Sequence, residues 1–252
     1  MNNLRVEDLF ESILNLEGLS KNIFIHSNIH LFGFFDDLEP SKSLINKLLN
    51  QDFTIVVPSY TYSFGESEKI KLFDPSLPAS LMGIFSETVR THPDAERTED
   101  PMFSVSAVGP NAGKITNIIS SDSFGYGSPM QQICDGNFSI LCFNHIGATI
   151  LHYYERLLNV SYRYNKVFNG MIQGKTEKKV CSWIAYVRDL KLRKSMHSPR
   201  LLHEYMVTNN LLETKSFGRG VISHIRTDDY FKHVSSFLSK WPDGLVVSER
   251  HA

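Results

Sequence analysis

What this 252-residue sequence lacks narrows its class at the outset. It has no run of about 18 apolar residues, so no membrane-spanning helix and no membrane partner are expected. Its first residues, MNNLRVEDLFESILNLEG, contain no apolar core of a secretory leader. Cysteine is scarce. Cys134, Cys142 and Cys181 are odd in number and lack metal-ligand spacing, which points to reduced thiols in a cytoplasmic chain. Cys142 lies in an apolar run and reads as a small buried side chain. Also missing are internal repeats, low-complexity segments and the basic–aromatic motifs of RNA-binding modules, so no nucleic-acid partner is expected.

The composition that remains, 42% hydrophobic and 21% charged, is that of a globular protein, with length for a single domain over residues 1–252. A net charge of −1 hides an asymmetry. Residues 1–155 hold nine basic and nineteen acidic side chains, a net of −10; residues 156–252 hold seventeen and eight, a net of +9. The basic half, a possible acceptor-binding lobe over residues 160–252, suits an anionic small molecule or nucleic acid; alternatively the two halves pack together and neutralise each other.

Apolar positions at helical spacing predict a first helix through Leu4, Val6, Leu9, Phe10, Ile13 and Leu14. Buried strands are expected at 22–26, 53–57, 102–108 and 138–143, with helices at 41–49, 80–91 and 149–158 between and after them. Beyond residue 160 the pattern loosens to a turn at 175–179, strands at 180–187 and 221–225, and helices at 201–209 and 228–238. Alternating strands and helices argue for a layered α/β fold.

Five segments carry candidate chemistry. His26, Ser27 and Asn28, with Gly33 downstream, close a buried strand, where ligands of open α/β sheets gather; a polar capped turn is the plain alternative. Tyr60, Thr61, Tyr62 and Ser63 follow the next strand and interleave hydroxyls with aromatics, as a pocket wall does, or else plug the core. Arg97 suits a phosphate or carboxylate, unless it pairs with Glu99 or Asp100. Gly127 and Ser128 precede Pro129 in a turn that favours close backbone approach and a capped helix, a geometry suited to pyrophosphate. Thr149, His152 and Glu155 recur at three-residue spacing and share a helix face. Thr149 is the expected N-cap, and the positive helix end would keep His152 neutral, able to take a proton near pH 7. A structural histidine or a metal pair of His145 and His152 are the competing readings; the pair lacks a third ligand, and no metal is expected.

Taken in order, these segments resemble the aminoglycoside 3-N-acetyltransferase family, also called the antibiotic N-acetyltransferase family. The matching pieces include His26-Ser27, Pro58 to Phe64, Asp74-Pro75, Met82-Gly83, Arg97-Thr98, Gly127-Ser128-Pro129, and Thr149, Leu151, His152 and Glu155. The resemblance implies a three-layer α/β/α sandwich around a mostly parallel or mixed sheet, distinct from the common N-acetyltransferase fold. It implies acyl-CoA, as acetyl-CoA or a longer donor such as 3-hydroxybutanoyl-CoA. It places a general base at His152 and a coenzyme A channel along His26–Gly33, Tyr60–Phe64 and Gly127–Ser128. The chain departs from antibiotic-modifying members at Thr98 and Asp100, where these carry serine and histidine. After Trp183, where such members place a carboxylate that orients the base, only Asp189 is on offer. The basic half favours a nucleoside-diphosphate-linked amino sugar as acceptor, by a homodimer or a monomer. An aminoglycoside is the alternative, and a non-catalytic coenzyme A- or nucleic-acid-binding protein is the alternative of another class.

Overall fold

The computed structural model describes residues 3–61, 71–79, 82–173 and 177–248. Twelve strands are described: β1 (Asn22–Ser27), β2 (Thr54–Pro58), β3 (Leu72–Phe73), β4 (Glu96–Arg97), β5 (Val105–Val108), β6 (Phe138–Phe143), β7 (Arg163–Gln173), β8 (Lys178–Arg188), β9 (Lys194–His197), β10 (Glu213–Phe217), β11 (Gly220–Arg226) and β12 (Val246–Ser248). Seven of them form the main sheet in the order β10-β11-β6-β1-β2-β5-β4.

Alternation along the central strands builds the layers, because successive strand side chains point to opposite faces. Ile23 and Ile25 of β1, Ile55 and Val57 of β2, and Leu141 and Phe143 of β6 enter one core. The helices Val6–Leu14, Pro40–Leu49 and Gly83–Arg90 cover it with residues such as Leu9, Leu44 and Phe85. Phe24, Val56, Ile140 and Cys142 face the other way, into a second core. That face is closed by the helices Pro129–Asp135, Leu151–Leu157, Arg200–Thr208 and Thr227–Lys240, through residues such as Ile133, Leu151, Leu202 and Val234. The result is the expected α/β/α sandwich. Its sheet is mixed: β1 runs parallel to both β2 and β6, while the outer pairings are antiparallel. The basic half is part of the sheet, since β11 pairs with β6.

The expected strand over 102–108 begins only at Val105. Asp100 is responsible. Its carboxylate accepts the N–H groups of Met102 and Phe103, each at 2.8 Å, and so folds residues 101–103 into a turn. Lys178 and Lys179, expected in a turn, begin β8. Strand β7 was not expected. It pairs along its whole length with β8, from Arg163 opposite Arg188 to Gln173 opposite Lys178. The hairpin buries only Phe168, Ile172, Trp183, Ala185 and Tyr186, so its outer stretch carries no apolar period to read. Among the described residues no helix is long and apolar enough to cross a membrane.

Gly109, just after β5, has φ +111°, and a Cβ there would lie 2.3 Å from the Phe53 carbonyl oxygen. Both the left-handed backbone and the missing side chain are therefore required. Gly109→Ala should destabilise the fold by roughly 2 kcal/mol or more in chemical denaturation.

Candidate active site

Three neighbouring parallel strands, β6, β1 and β2, deliver their carboxyl ends to one edge of the sheet. In open α/β sheets this edge is where ligands bind. The loops leaving it are tied to one another. The Asn28 N–H donates to the Phe143 carbonyl at 2.8 Å, and its side-chain amide donates to the Asn144 carbonyl at 3.1 Å. The Ser27 hydroxyl accepts from the Ile29 N–H at 3.2 Å. His26 is buried and stacks on His145 at 5.4 Å, while its Nε2 accepts the Thr149 N–H at 3.4 Å. Burial, and then the neighbouring His145, push His26 down to about 3, so the ring is a neutral acceptor. The start of the histidine helix is thereby fastened to the end of β1.

That helix spans Leu151–Leu157. Thr149 does not cap it with its side chain. The N–H groups of Leu151, His152 and Tyr153 donate to the carbonyls of Ala148, Thr149 and Ile150, a tighter turn that leads into the helix. The three-residue spacing of His152 and Glu155 has the anticipated consequence. His152 Nδ1 lies 2.6 Å from Glu155 Oε2. A carboxylate only accepts, so the proton resides on Nδ1 and the Nε2 lone pair is left available. Glu155 is fully buried and also forms an ion pair with Arg163, whose Nε lies 2.8 Å from Oε2. Burial and the Arg163 cation together hold His152 well below the ordinary histidine value; these causes replace the helix dipole invoked from sequence. One turn along, Arg156 pairs with Asp122 and ties the helix to the segment before Phe124. The rings of Phe124 and Phe103 meet His152 edge-on at 5.7 and 6.3 Å.

Arg163 and His197 were not singled out in the sequence. His197 Nε2 lies 3.8 Å from Glu155 Oε1, and its ring centroid is 4.7 Å from that of His152. Both residues fall in exposed-looking basic stretches, with no spacing relation to His152. His152, Glu155 and His197 place donor atoms within 4.8 Å of one another, as a divalent cation requires. The Arg163 guanidinium on the same carboxylate opposes a second cation there.

The remaining candidates are distributed around this centre. Tyr60 is buried and packs edge-on against Phe103 at 5.4 Å, one ring removed from His152. Arg97 has no free donor for a phosphate. Nε donates to Ser104 Oγ at 3.1 Å, Nη1 to the carbonyls of Pro75 at 3.1 Å and Leu77 at 2.8 Å, and Nη2 to Ser59 O and to Thr61 Oγ1 at 2.8 Å. Its five N–H groups therefore brace the loops after β2 and β3, and Thr61 is their acceptor. Ser128 caps the helix Pro129–Asp135, accepting from the Gln131 N–H at 3.2 Å, while the Gly127 N–H donates to Gln131 Oε1 at 2.6 Å. Gly33, φ +133°, closes the turn Ile29–Phe32 beside Leu4 and Arg219. Asp189 stands apart from His152, its carboxylate accepting from the Lys191 N–H at 2.9 Å. Glu155 holds the contact with the histidine that Asp189 was expected to make. Tyr62 and Ser63 lie outside the described residues. The Cys142 thiol is pushed up to about 12 by burial, so it is inert, as its apolar setting implied.

A family model described as aminoglycoside 3-N-acetyltransferase matches residues 24–239, most of the chain and every element of this site. The chain belongs to that family. Membership makes it a coenzyme A-dependent N-acyltransferase and sets aside the non-catalytic alternative. Solved structures with the same fold include the sisomicin-bound aminoglycoside acetyltransferase AAC-VIa, with TM-score 0.77 and 15% identity, covering 95% of this chain and 99% of that one. AAC(3)-IVa has TM-score 0.76 and 19% identity, covering 100% and 95%. AAC-IIIb, solved with CoASH, has TM-score 0.76 and 16% identity, covering 95% and 97%. Against curated protein sequences the chain has no significant match.

Two outcomes follow for this member of the family. Arg163 is 6% exposed, and its replacement by methionine would leave Glu155 buried without its cation. Arg163→Met should cost about 3 kcal/mol or more in denaturant melts and raise the His152 pKa in an NMR titration. His26 and His197 are both held near 3 by burial. Below the unfolded value of about 6.5 the unfolded chain therefore binds more protons than the native one. Their stabilisation is complete above that pH and is lost as the pH falls toward about 3. Thermal melts should accordingly drop between pH 7 and pH 5, with a shallower slope in His26→Asn.

Proposed function

We propose that this enzyme transfers an acyl group, acetyl in the simplest case, from coenzyme A to a primary amine of an aminoglycoside-type amino sugar, with His152 as general base. The observation that carries this reading is the Glu155 contact. With Nδ1–H donating to Glu155 at 2.6 Å, the neutral ring offers Nε2 to the acceptor ammonium. The ammonium gives its proton to Nε2, directly or through a water. The free amine attacks the thioester carbonyl, and the now cationic nitrogen of the tetrahedral adduct loses a proton to solvent. Collapse to the amide expels the thiolate, which the imidazolium protonates. Arg163 stabilises Glu155 throughout, and Glu155 stabilises the imidazolium once it forms. Burial of the imidazole sharpens both interactions. The loops at His26–Asn28 and Tyr60–Thr61, at the carboxyl ends of β1 and β2, are the candidate walls of the coenzyme A channel.

An acidic cavity also suits a cationic ligand. It measures about 1020 Å³ and is lined by Asp74, Asp94, Glu96, Glu99 and Asp100 among others, while His152, Phe103 and Phe124 are not part of its lining. Its arginines are already engaged: Arg90 binds Glu87, and Arg97 binds the five oxygens named above. A polyamine sugar complements such a wall. The solved relatives with acceptors bound hold sisomicin and gentamicin, which is in line with that choice. The nucleotide-linked amino sugar favoured by overall charge finds no counterpart among them. It stays as the second reading because Lys178 and Lys179 are exposed on β8 and Lys179 reaches the cavity. The longer 3-hydroxybutanoyl donor belongs with that second reading.

The test is free-thiol release from acetyl-CoA and 3-hydroxybutanoyl-CoA with sisomicin, gentamicin, and UDP- and dTDP-linked amino sugars. Release with the antibiotics is expected; release confined to the nucleotide sugars would overturn the acceptor assignment. His152→Ala should lower kcat by about 10²- to 10⁴-fold while coenzyme A still binds in calorimetry. Turnover within a few-fold of the parent enzyme would remove His152 from its role.

A further inference from the structure

His197 ends β9, which among the described residues pairs with β12 alone and stands outside the main sheet. It nevertheless reaches the centre of the site. Its ring meets His152 at 4.7 Å and 75°, nearly perpendicular. Phe103 and Phe124 meet the same imidazole at 75° and 85°. Three aromatic rings therefore pack nearly perpendicular to this imidazole, whose Nδ1 also makes the Glu155 hydrogen bond. A histidine side chain turns about its last torsion over a broad, shallow profile, so a single hydrogen bond holds its orientation loosely. Close-packed edges remove that freedom.

We propose that His197 is a positioning residue for the base: it is the third wall of a ring cage that keeps His152 Nδ1 turned toward Glu155. Its own nitrogens are not required as an acid or base. Nε2 is 3.8 Å from Glu155 Oε1, beyond hydrogen-bond reach. The ring is neutral through burial, so it adds no charge to compete with Arg163 for the carboxylate. Because β9 lies outside the main sheet, the cage is completed by a segment that no sheet hydrogen bond ties to the histidine helix.

The kinetic part of the test rests on the acyl-transfer reading; the spectroscopic part does not. Histidine ¹⁵N NMR on the substrate-free enzyme, with His152 assigned by its loss in His152→Ala, should show one Nδ1–H tautomer in the parent chain. In His197→Ala that signal should give way to a tautomer mixture, and the His152 titration should move up toward about 6.5 as water enters. Thiol release should fall about 10- to 100-fold in kcat, with KM for acyl-CoA changed less than about threefold. His197→Phe restores the edge without the nitrogens and should recover the single tautomer and most of kcat. Should the alanine chain not fold, His197→Leu, which keeps the volume but loses the flat edge, should show the same tautomer mixture. An unchanged Nδ1–H signal in the alanine or leucine chain overturns the proposal. So does a phenylalanine chain as impaired as the alanine one. Absence of thiol release in the parent enzyme would count against acyl transfer alone, because the tautomer comparison needs no substrate.

Discussion

A single carboxylate, fully removed from water, organises the centre of this protein. Glu155 meets His152 at 2.6 Å and Arg163 at 2.8 Å, and its second oxygen looks toward His197. An isolated carboxylate in such a place is prohibitively costly. The surrounding structure can be understood as the set of elements that make it tolerable. The helix Leu151–Leu157 supplies both the carboxylate and the histidine. The root of the β7–β8 hairpin supplies the guanidinium, and β9 supplies the last ring. Segments spread over more than forty residues, from His152 to His197, thus converge on one carboxylate.

The sheet gives this arrangement its rigidity. Three parallel strands end side by side, and the loops they release are bonded to one another through Asn28, Phe143 and Asn144. His26 then carries the connection from the end of β1 to the residue that opens the histidine helix. Arg97 performs a similar service on the other flank. Its five donors are all directed to oxygens of the segments 59–61, 75–77 and 104, so the loop after β2 is braced by a half-buried cation. Burial and nearby Arg90 lower that guanidinium to about 10, and dense hydrogen bonding is what allows it to remain charged there.

How legible this was in the sequence depends on how local the cause was. The strand at 138–143 could be read to the residue, because six consecutive positions are buried on both faces. The approach of His152 to Glu155 was legible because a helix places residues three apart on one side. The Ser128 cap followed from serine before proline at a helix start. The bracing role of Arg97 was not legible because three of its partners are main-chain oxygens of distant loops, which no residue type announces. Asp189 drew attention for being the acid after Trp183, yet its carboxylate serves a local turn. Arg163 and His197 were invisible for a related reason. Strands such as β7 and β9 carry few buried positions, so their inward-facing members have no periodic background against which to stand out. The charge asymmetry was real but says little about the acceptor. Net charge summed over half a chain averages across surfaces that point in different directions.

The β7–β8 hairpin carries a longer-term implication. Its root is locked, since Arg163 is buried against Glu155, while near its far end Lys178, Lys179 and Val180 stand in solvent. Mutation at the two ends is therefore subject to very different selection. Drift near the root disturbs the buried ion pair, whereas lengthening or recharging the tip leaves it alone. A lineage built on this plan can vary one ribbon freely while its buried centre stays fixed.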